Sequence, residues 1–168
     1  MTIARRAKSL VGTTVLFLAV WAAAACVGNA QQVAVQIYSG APVTVSAADI
    51  AAMPHQKLTV DAHGKSVSFE GVPLRLVLEK AGLTFDNSMH NKRLTSYLLV
   101  DAADGYRVIF ALPELDPGFT DRVILLADRA DGHPLDNKEG PLRIVVPGEK
   151  RMARCVKQVT GLKVVEVQ

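Results

Sequence analysis

The sequence predicts one α+β domain of short strands with two short helices, preceded by a cleavable leader. Two observations carry this. Short apolar runs recur along the chain between Gly, Pro, Asn and Asp turn signals, mostly at hairpin spacing. Helical signals are confined to two brief stretches, so the strand–helix alternation of a doubly wound sheet is missing.

The leader comes first. Residues 1–9 carry Arg5, Arg6 and Lys8 and no acid, and residues 10–25 form an uncharged apolar run. Gly28 and Ala30 then stand three and one before Gln31. This basic, apolar, small-residue order is that of a secretory signal, and the apolar run is short of the ~20 residues a spanning helix needs. The expected division is a signal peptide over 1–30 and one domain over 31–168, placed in the periplasm or secreted. Ala23-Ala24-Ala25-Cys26 is a poor lipoprotein cleavage site; if used, it lipidates Cys26 and provides the one membrane attachment the sequence offers. Arg5-Arg6 fits a basic signal start better than a twin-arginine motif, given Ala7-Lys8-Ser9 behind it.

Within the domain, Val33 to Tyr38 and Val43 to Val45 read as strands. Ser46 is an N-cap for a helix over 47–53, ended by Pro54. Strands over 57–60 and 65–69 flank the turn Asp61-Ala62-His63-Gly64. The clearest helix is 73–81: Pro73 at its first position, Leu74, Val77, Leu78 and Ala81 on one face, Gly82 as its stop. Strands over 95–100 and 106–112 join through Ala103-Asp104-Gly105, a hairpin signal. Residues 113–119 are a loop or short helix, and 122–127 a strand before the Asp131-Gly132 turn. A strand over 142–146 ends at Pro147-Gly148, and a last one over 156–167 is interrupted at Gly161.

The bulk numbers exclude several classes. The chain has 19 Lys and Arg against 16 Asp and Glu. Losing the leader removes three cations, so the mature domain is neutral and its composition does not point to nucleic acid. Only Cys155 survives cleavage, so no internal disulfide forms. The sequence lacks a Gly-rich phosphate loop, a nucleophile elbow and a metalloprotease helix motif. His55, His63, His90 and His133 are scattered without metal-ligand spacing.

Five segments share an order seen elsewhere. Phe69-Glu70-Gly71-Val72-Pro73-Leu74 leads into a Leu-rich helix, and Asp104-Gly105-Tyr106 precedes Ile109 to Pro113. Leu125-Leu126-Ala127 runs on to Gly132-His133-Pro134-Leu135, then Gly140-Pro141-Leu142-Arg143-Ile144-Val145-Val146-Pro147-Gly148. Ala153-Arg154-Cys155-Val156-Lys157 closes the series. Together, over roughly 43–167, they resemble the sulfite oxidase-like molybdopterin-binding domains.

The resemblance implies that fold and a molybdopterin cofactor. In full-size members a cysteine thiolate upstream of the Gly-Val-Pro-Leu helix binds molybdenum. The matching stretch here, Leu58-Thr59-Val60-Asp61-Ala62, has no Cys. The early His- and Arg-bearing segment that grips the pterin in larger members is also missing.

The candidate site residues follow. Tyr106 matches a tyrosine near the metal, where a phenol orients or protonates an oxyanion; its bland alternative is an aromatic at a strand start. Lys150, Arg151, Arg154 and Lys157 are a basic cluster where the family's closing loop contacts the pterin and its phosphate, or else a solvated loop. Arg143, inside an apolar strand, needs an anion or an acid partner. Cys155 is either a substitute metal ligand or a small buried hydrophobe.

Two functions stay open. One is an exported molybdopterin-dependent oxidoreductase, or a subunit of one, moving an oxygen atom or electrons with a periplasmic redox partner. The other is a non-catalytic periplasmic module that binds a pterin, another small anion or a partner protein. The missing cysteine favours the second, and the whole-chain resemblance favours the first as a family label; the chain is read as oxidoreductase-like, with the binding module as the alternative and catalysis left open.

Overall fold

The computed structural model describes residues 31–62, 64–85 and 94–167. The expected leader, with Arg5, Arg6 and Cys26, lies outside the described residues, as do His63 and His90.

Among the described residues, ten strands and two helices follow in the order β1 (Val33–Ile37), β2 (Val43–Val45), α1 (Ala47–Ala52), β3 (Gln56–Ala62), β4 (Lys65–Pro73), α2 (Leu74–Lys80), β5 (Ser96–Ala102), β6 (Arg107–Ala111), β7 (Leu125–Ala130), β8 (His133–Pro134), β9 (Arg143–Val145) and β10 (Val159–Glu166). Short 3-10 turns cover Leu112–Leu115 and Met152–Arg154. The α+β class and the two short helices are as the sequence predicts.

Local chemistry explains several of these elements. Ser46 caps α1 in a capping box: the Asp49 amide donates to its Oγ at 3.2 Å, and the Ser46 amide donates to the Asp49 carboxylate at 3.1 Å. Gly105 at φ 84° closes the β5–β6 hairpin. Asp131 at φ 49° and Gly132 at φ 81° form the two-residue turn that pairs Ala130 with His133 and creates β8, a strand absent from the sequence reading.

Other boundaries moved. Pro73 is the last residue of β4, paired with Leu125, and it caps α2 rather than opening it. Its ψ of 124° is extended, and the next amide, Leu74, donates to the Ile124 carbonyl at 2.8 Å. The strand expected over 122–127 sits three residues later, because pairing with β4 and the tight turn carry it to Ala130. The last strand begins at Val159, and its register shifts between Val159 and Gly161. That bulge keeps Val159, Leu162 and Val164 all buried, although the first two are three residues apart.

The strands form two five-stranded sheets. One runs β2-β1-β10-β5-β6, with β1 and β10 parallel. The other runs β3-β4-β7-β8, with β9 also on β7. A large core joins the two sheets and α2, from Val33, Val35, Leu98, Val100 and Val164 on one side to Val72, Leu74, Leu126 and Ile144 on the other. A smaller cluster of Val60, Phe69, Leu125, Ala127 and Val145 covers the opposite face of the second sheet. Burying both faces around β7 and β9 is why those segments read as continuous apolar runs.

Candidate functional site

The β5–β6 turn and the closing loop meet at the surface. Asp104 Oδ1 accepts the Tyr106 amide at 2.9 Å and holds the turn. Tyr106 stands just before β6 with its ring half-exposed, and its hydroxyl donates to the Ala153 carbonyl at 2.9 Å. Asp104, Tyr106, Ala153, Cys155 and Lys157 line a cleft of about 230 Å³ there. Two of the residue sets singled out in the sequence, the Asp-Gly-Tyr turn and the closing loop, are thus neighbours despite their separation along the chain.

The cations are less free than the sequence suggests. Arg154 donates to both oxygens of Glu114, at 3.0 and 3.2 Å, and to Glu149, and stacks 5.1 Å from the Phe110 centroid. The Glu149 hydrogen bond, with Glu114, raises its pKa above the ordinary value despite partial burial. Arg122 lies 3.8 Å from Glu114 and 3.9 Å from Glu149, completing an alternating cluster. Lys157 Nζ is 2.8 Å from Glu139, which also pairs with Arg143. Arg143 is buried, with its guanidinium 4.9 Å from the Phe69 centroid and its Nε without a partner among the described residues. Lys150 and Arg151 are exposed. The three anchoring glutamates were missed. Glu139 was legible, four residues before Arg143. Glu114 was not, because it stands 40 positions from Arg154.

The model of the oxidoreductase molybdopterin binding domain matches residues 19–168. The chain belongs to that family. Among solved structures it is similar to the sulfane dehydrogenase SoxCD from Paracoccus pantotrophus, with a TM-score of 0.63 at 19% identity. The match covers 81% of this chain and 38% of the SoxCD chain, so the present chain spans well under half of that protein's length. At that identity the likeness is one of fold. A search of curated proteins gave no match.

The donors of this family member do not fit a thiolate-held molybdenum. Where the family's cysteine is expected, β3 offers Val60, which is buried, and Asp61, whose Oδ1 accepts the Gly64 amide at 2.7 Å. Cys155 is 4% exposed and belongs to the main core. The Val146 amide donates to its Sγ at 3.4 Å, yet burial outweighs this and pushes the thiol pKa up. A protonated core thiol is a poor ligand. Among the described residues no group of three or more His, Cys, Asp or Glu is placed to hold a metal.

Proposed function

We propose that this domain is an exported module that binds a pterin, or a small anion of similar kind, without ligating molybdenum through the protein. The carrying observation is the location of the only thiol in the domain, protonated in the core rather than on β3. The fold that receives a pterin in this family is retained, while the residue that commits the family to metal chemistry is absent. Lys150 and Arg151, exposed and just before the cleft-lining Met152 in sequence, are the cations available to an anionic ligand. Arg143, Arg154 and Lys157 support that loop through their glutamates, and reach a ligand only if those pairs open. Tyr106 offers its hydroxyl oxygen as an acceptor while its proton is held by Ala153. Export to the periplasm or beyond follows from the leader.

The whole-domain family match favours a second reading, a subunit of a molybdopterin-dependent oxidoreductase that works with a periplasmic redox partner. One experiment separates the two. Mature protein is purified from its own host, its molybdenum measured by elemental analysis, and its pterin measured by fluorescence after oxidation. Pterin without metal is the expected result. Near-stoichiometric molybdenum with pterin overturns the proposal in favour of the oxidoreductase, and neither component removes pterin as the ligand. A variant carrying Lys150→Ala and Arg151→Ala is expected to lose pterin while keeping its unfolding temperature.

A further inference from the structure

Away from the Tyr106 cleft, strands β7 and β8 and the start of α1 border a cavity of about 410 Å³. Its walls include Ala47, Pro134, Leu135 and Pro141, with Asp128 among them. Asp128 is 7% exposed, and its partners are few. Oδ1 is buried with no hydrogen bond among the described residues. Oδ2 has the Gln31 amide at 3.5 Å, the limit of a hydrogen bond, and His55 Nε2 at 3.7 Å.

His55 does not repair this deficit by a direct hydrogen bond. Its Nδ1 lies 3.0 Å from the Met53 carbonyl oxygen, which only accepts. At 3.7 Å its Nε2 lies beyond hydrogen-bond distance of Asp128 Oδ2. A carboxylate with room for about four donors is left with one weak contact among the described residues. Buried polar groups in folded proteins are normally satisfied, and an exception calls for an explanation.

We propose that Asp128 anchors a binding site for a small planar ligand presenting two adjacent N–H donors, the edge shared by amidines and 2-aminopyrimidines. Such a fork matches a carboxylate with two parallel hydrogen bonds. Pro134, Leu135 and Pro141 give the lining apolar surface against which a ring can pack. Rotation of a carboxylate about its terminal torsion is soft, so Oδ1 turns toward the cavity as the Gln31 contact yields. Arg129, exposed on the cavity lining, disfavours ligands with further positive charge. The site lies in a cavity away from the Tyr106 cleft; isocytosine carries the donor edge of a pterin's own pyrimidine ring, so in that arm the site rests on the reading given under Proposed function, whereas benzamidine binding stands apart from it.

The test is an NMR titration of the folded domain with benzamidine and, separately, with isocytosine. Saturable shifts confined to the amides of Arg129, Leu135 and Asn137 are expected for at least one probe. Benzamidine alone identifies an amidinium ligand and isocytosine alone a neutral aminopyrimidine. Asp128→Asn, which swaps an acceptor for a donor at constant shape, is expected to weaken binding about tenfold or more. Ala47→Phe narrows the mouth from an exposed position and is expected to block binding with the fold intact, which covers the case in which Asp128→Asn does not fold. Absence of saturable shifts at these amides with both probes overturns the proposal. So does undiminished binding in the two variants.

Discussion

Glu139 holds two cations, one of them buried. Burial alone would raise its pKa, but the hydrogen bond from Lys157 and the charge of Arg143 outweigh this and leave it below the ordinary value. A carboxylate depressed in the folded state stabilises the protein above its unfolded pKa, and that contribution fades as pH falls through the folded value. Glu139→Gln is therefore expected to cost about 2 kcal/mol at neutral pH, a buried-pair loss reduced for the partial exposure of the acid. The variant's stability should also fall less steeply in acid, as followed by urea melts from pH 7 to 3. Adding Arg143→Met should recover most of the loss, because an unpaired buried cation is the larger penalty. Cys155 gives a simpler expectation. Its thiol should resist alkylation until the protein unfolds, and Cys155→Ser should lower stability by about 1–2 kcal/mol without changing bound pterin or metal. Metal lost from that variant would reinstate the thiol as a ligand.

Among the elements, β4 and β7 pack closely at Gly71. A Cβ on Gly71 would lie 2.3 Å from the Leu126 carbonyl oxygen and 2.4 Å from the Ala127 Cα. Both are backbone, so the strands themselves would have to separate. Gly71→Ala is expected to cost about 3 kcal/mol or more by overpacking, measurable by thermal unfolding. The glycine lies at a register shift between Glu70 and Gly71. What the sequence disclosed at this scale follows a pattern. α1 was legible because Ser46 and Asp49 cap it locally, and the β5–β6 hairpin because Asp104 and Gly105 form its turn from adjacent residues. The 3-10 turn at Leu112–Leu115 and strand β8 were less so, since their signals span a few residues each. The cleft was legible as two separate motifs. Its charge balance was not, because Glu114 joins Arg154 through the fold rather than through spacing.

The whole molecule depends on a pairing that no local pattern encodes. β10 lies between β1 and β5, parallel to the first strand and antiparallel to the other. Hairpin spacing predicts neighbours in sequence, and it says nothing about a first strand joined to a last one. Its side chains bind the sheet to the core through Val159, Leu162 and Val164. Truncation after Gln158 is expected to leave the domain without a cooperative unfolding transition by circular dichroism, whereas removal of Gln168 alone should have no effect.

This placement also fixes the timing of the fold. During synthesis, a ribosome that has released everything up to Val156 has built only the flanks of a sheet whose middle is still to come. The nascent chain cannot close early around its own N-terminal half. The first sheet locks only when β10 arrives.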